Sequence, residues 1–89
     1  MISAQVMNLL YGELRKAEKK FPTFPTDPVH AAAIVAEESG ELLQAALDYT
    51  YGRSKSDFAM AKEAAHTAAM GIRFLMSMHQ MERRPPEQR

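Results

Sequence analysis

The chain has 89 residues, of which 46% are hydrophobic and 25% charged, the proportions of one ordinary globular domain rather than of a disordered or fibrous chain. Eleven lysines and arginines balance eleven aspartates and glutamates, so no net field favours duplex nucleic acid or an anionic membrane as a partner. The absence of cysteine excludes disulfides and thiolate chemistry and fits a reducing compartment.

Ile2, Val6, Leu9, Leu10 and Leu14 recur at helical spacing, which predicts a first helix over about residues 2–20. Glu13, Arg15, Lys16 and Glu18 interrupt this stretch. It therefore lacks the apolar run of a signal peptide or membrane span, and the cytoplasm is the expected location. The segment from Phe21 to Pro28 holds three of the five prolines; each lacks an N–H donor and disfavours helix in the residue before it, so a rigid loop is expected.

Asp27 before Pro28 has the form of an N-cap with proline at the first helical position. The Ala-rich run beyond it predicts a second helix over about 28–51, stopped by Gly52. Ser54 or Ser56 is the expected cap of a third helix over about 56–81. Arg83 to Arg89 contains Pro85 and Pro86 and is expected to form a flexible tail. The expected architecture is therefore all-α: a single domain over residues 1–82 with three main helices and no strand pattern. A chain this short buries a small fraction of its surface, so the bundle is expected to be completed by oligomerisation.

At about 100° per residue, Glu38 and Glu41 share a face of the second helix with Ala31, Ile34, Val35, Leu42 and Ala45. Glu37 lies on the flank with His30, Gln44 and Asp48. Ala33, Ala36, Gly40, Leu43 and Leu47 form a second apolar surface, as expected of a helix packed inside a bundle or oligomer. On the third helix, Glu63 and His66 stand at i and i+3 among Ala59, Met60, Thr67, Met70 and Phe74.

A carboxylate on an apolar stripe is costly unless it is paired or bound to a cation. Ligands at i and i+3 on two facing helices can converge on one metal in a bundle core, and carboxylate oxygens suit magnesium or manganese. Two other accounts fit the same residues: solvated surface acids, or buried ion pairs to Arg73 or Lys62. Both of these cations are also candidate phosphate ligands.

Glu37-Glu38-Ser39-Gly40-Glu41 and, further on, Glu63-Ala64-Ala65-His66 resemble the EExxE and ExxD motifs of the all-α nucleoside triphosphate pyrophosphohydrolases of MazG-like type. The likeness runs from about Pro28 to Leu75. It departs from the pattern at His66, which stands where the family has aspartate. The resemblance implies metal ligands at Glu38, Glu41, Glu63 and His66, with Glu37 activating water. It further implies magnesium, or manganese, as cofactor, hydrolysis of a nucleoside triphosphate to monophosphate and pyrophosphate, and a homodimer or homotetramer. Imidazole in place of a carboxylate removes one negative charge and favours manganese or zinc over magnesium. The rival expectation is a helical oligomer that keeps the fold without the activity and serves as an interaction module.

Overall fold

A computed structural model describes residues 1–83 and 85. Three α-helices follow one another: α1 over Ala4–Lys20, α2 over Pro28–Thr50 and α3 over Phe58–Ser77, which runs into a 3-10 turn at Met78–Gln80. No strand occurs among the described residues, and no helix is long and apolar enough to cross a membrane.

The helix boundaries have local causes. Ser3 caps α1 by accepting from the Val6 N–H at 3.2 Å. Lys19 and Lys20 in the last turn complement the negative end of the helix dipole, and Pro22 prevents continuation. Asp27 accepts from the His30 N–H at 3.2 Å with Pro28 in the first turn of α2, as expected. After α2, Gly52 takes φ 75°, a region that costs any residue with a Cβ. The turn it makes lets the N–H groups of Arg53 and Ser54 both donate to the Asp48 carbonyl.

The N-cap position of α3 is Asp57, whose side chain makes no capping bond; of the two serines expected as caps, only Ser56 accepts from the start of the helix. Ser56 Oγ accepts from the Phe58 N–H, while Ser54 Oγ donates to the Ser56 carbonyl. The third helix ends as α-helix at Ser77, slightly short of the expected 81, because its last residues tighten into the 3-10 turn, a common form of helix end. Beyond the turn, the Glu82 N–H donates to the Thr26 carbonyl at 2.9 Å, tying this residue to the proline loop. The tail expected over 83–89 falls mainly on Arg84 and residues 86–89, which lie outside the described residues.

Helix α3 is the hub, because both α1 and α2 pack against it. Leu14, Ala69 and Met70 form the buried centre, and Leu10, Ala17, Phe24, Ile34, Val35 and Ile72 pack around it. Along α2, Ala31 and Ala45 are buried and Val35, Glu38 and Leu42 half-buried, a spacing of alternating three and four residues that lays one stripe along a helix. Glu38 therefore faces inward. The second apolar surface of α2 (Ala33, Ala36, Gly40, Leu43 and Leu47) is exposed.

Candidate metal centre

Glu38 on α2 and Glu63 and His66 on α3 bring one ligand atom each within 4.8 Å of one another. Glu63 and His66 meet because residues three apart on a helix are neighbours. Glu38 joins them because the inward stripe of α2 lies on α3. His66 Nδ1 is 3.7 Å from Glu38 Oε2 and 3.7 Å from Glu63 Oε2. Of the four residues expected to converge, Glu38, Glu63 and His66 do so and Glu41 does not.

A fourth group stands on the other side of the imidazole. Glu13, from α1, places Oε2 2.6 Å from His66 Nε2, a hydrogen-bond distance at which the ring N–H is not aligned with the oxygen. Only 6% of the Glu13 side chain is exposed, against 30% for His66. Its other oxygen meets Lys16 at 3.3 Å, an ion pair whose lysine side is open to solvent. Glu13 was not among the residues expected at the site. Its signal was its spacing, three residues after Leu10 and four before Ala17, both of which pack on the core. That places Glu13 beside the inner stripe of α1.

The electrostatics leave this cluster short of positive charge. Glu13 Oε2, Glu38 Oε2 and Glu63 Oε2 are buried and have no hydrogen-bond donor, a costly state for a carboxylate. Burial foremost, then the neighbouring Glu41 carboxylate and that of Glu63, push the Glu38 pKa up, with His66 opposing. Among the described residues neither Lys62 nor Arg73 forms an ion pair with these acids. Carboxylate oxygens plus one imidazole nitrogen, with unpartnered oxygens pointing inward, fit a divalent cation.

The remaining expected residues lie around this centre. Glu41 adjoins Glu38, close enough to perturb it, but is exposed and outside the convergent trio. The physical reason is rotation: three residues after Val35 and four before Leu42, Glu38 sits mid-stripe, whereas Glu41 sits at the stripe's edge. Glu37 is exposed and lines, with Glu38, His66 and Lys62, a cleft of about 930 Å³.

Arg73 borders the same cleft, but its guanidinium is committed elsewhere. It donates to the carbonyls of Ala17, Phe21 and Thr23 and lies 5.1 Å from the Phe24 ring centroid. Arg73, expected as a phosphate ligand, serves in the fold as a buried brace for the end of α1 and the proline loop. No family model, no curated protein and no solved structure matches the chain.

Proposed function

We propose that this chain is a metal-dependent nucleoside triphosphate pyrophosphohydrolase of MazG-like type, acting in the cytoplasm. The observation that carries the reading is the approach of Glu38, Glu63 and His66, with unpartnered carboxylate oxygens, where Glu38 and His66 border a cleft also lined by Lys16, Lys20, Lys62, Phe21 and Phe24. Cationic side chains suit phosphates, and aromatic faces suit a base.

In this reading Glu38, Glu63 and His66 hold magnesium or manganese, with Glu41 joining from beside Glu38. When bound, such a cation lowers the pKa of water and neutralises phosphate charge. Glu37, on the cleft wall, orients the attacking water and accepts its proton as the bond between the α and β phosphates breaks. Lys62 meets the phosphates, and Arg73 holds the Phe21–Phe24 wall in place. Dimers or tetramers form through the exposed second surface of α2. The Cα radius of gyration of 15.5 Å, against about 12 Å for a compact chain of this length, supports a protomer shaped to pack against copies of itself.

A second reading is favoured by one distance pattern. His66 Nδ1 is equidistant from Glu38 and Glu63 while Nε2 touches Glu13, so a protonated imidazole would itself serve as the cation of the cluster. The chain would then be a non-catalytic helical oligomer. Incubation with a panel of standard and damaged nucleoside triphosphates, with magnesium or manganese, separates the two. The hydrolase releases pyrophosphate and a monophosphate from at least one of them, and Glu38→Gln abolishes the release. Failure of every nucleotide with both metals would leave the oligomer reading.

A further inference from the structure

Glu13 is absent from the sequence motifs, belongs to α1 rather than to the helices that carry them and lies outside the group whose ligand atoms converge, yet it is the most buried acid of the cluster. Burying an acid without a donor on one oxygen is unfavourable, so its position calls for a partner. The nearest is His66 Nε2, at 2.6 Å from Glu13 Oε2.

Two lone pairs at that distance repel, so the imidazole proton belongs on Nε2, beside the carboxylate. The other ring nitrogen, Nδ1, then presents its lone pair to the space bounded by Glu38 Oε2 and Glu63 Oε2, 3.7 Å from each. A metal-binding histidine commonly donates its second N–H to a carboxylate, which fixes the tautomer and raises the basicity of the ligating nitrogen.

We propose that Glu13 is a positioning residue of the metal centre: its buried carboxylate holds the His66 Nε2–H and thereby turns Nδ1 toward a divalent cation shared with Glu38 and Glu63. This rests on the metal-binding reading above. It brings α1 into the site and gives His66 a defined ligand atom, so the substitution of histidine for aspartate is accompanied by a carboxylate that orients it.

The test uses the whole chain, manganese binding followed by electron paramagnetic resonance, and the imidazole 15N resonances of His66 in the zinc-loaded protein. Wild type is expected to bind manganese and to show a proton on Nε2 with zinc on Nδ1. Glu13→Met, of similar volume, is expected to lose about 10–100-fold in manganese affinity. Glu13→Gln, which keeps an acceptor oxygen, should recover most of that loss and retain the Nε2–H tautomer. Unchanged affinity in a folded Glu13→Met protein overturns the assignment, as does a proton on Nδ1 in zinc-loaded wild type, a readout that decides the matter even if Glu13→Met fails to fold. Wild type that binds neither manganese nor zinc overturns the metal-centre reading itself, a different result from a bound metal that ignores Glu13.

Discussion

Arg73, on α3, donates to the carbonyl of Phe21, the residue that ends α1, across 52 positions of sequence. The same guanidinium reaches the Ala17 and Thr23 carbonyls, so one side chain ties a helix end to the proline-rich loop that follows it. Arg73→Met is expected to lower unfolding free energy by about 1–3 kcal/mol, because it leaves acceptors unsatisfied. Arg73→Lys should recover little, since an ammonium cannot reproduce the planar fork. Urea denaturation measures both, and a loss within about 0.5 kcal/mol, ordinary for a surface change, would remove Arg73 from this role.

Glu38 makes the metal-free protein sensitive to pH. Burial and the adjoining acids raise its pKa in the fold, so the native state holds that proton more tightly than the unfolded chain. Its stabilising contribution is complete below the unfolded pKa and is lost as pH rises through the folded one. Glu38→Gln is therefore expected to melt above wild type at neutral pH in the presence of a chelator, with the advantage shrinking as the solution is acidified past the ordinary carboxylate range. Metal binding requires the ionised form, so wild-type affinity for manganese should rise with pH over the same interval. Parallel melting curves would contradict this account.

Leu43 and Leu47 are 62% and 38% exposed on a surface otherwise made of small residues. We expect light scattering at micromolar concentration to give a dimer or tetramer, and Leu43→Glu to shift it toward monomer by placing a charge in the contact. A stable wild-type monomer, or an assembly indifferent to Leu43→Glu, would move the interface elsewhere or remove it.

His66→Asp should exchange a nitrogen ligand for a hard oxygen and add a negative charge. Magnesium affinity, and any magnesium-dependent pyrophosphate release, are expected to rise relative to manganese. The same change strips Glu13 Oε2 of its 2.6 Å neighbour and sets a carboxylate among three others, so the metal-free variant should melt below wild type. Calorimetric titration with both metals, beside thermal melts in chelator, reads the two effects. If neither affinity nor melting temperature moves, His66 is not at a metal position.

Much of the architecture is determined by interactions within a few residues of each other, and these are legible in sequence. Asp27 and Pro28 start α2 because a side-chain acceptor and a preset φ act locally; Gly52 ends it because only its neighbours' carbonyls and its own missing Cβ are involved. The spacing of Ala31, Val35, Leu42 and Ala45 likewise turned Glu38 inward and brought it to Glu63 and His66. Tertiary structure decided the rest. Periodicity specifies an apolar stripe more than about 100° wide, whereas Glu38 and Glu41 differ by about 60° around the axis, so only the docking of α2 on α3 could leave one half-buried and the other in water. The placement of Glu13 against His66, and of Arg73 on the carbonyls of Ala17, Phe21 and Thr23, depended on how α1 rotates and crosses over α3, a relation between segments some fifty residues apart that no local pattern encodes.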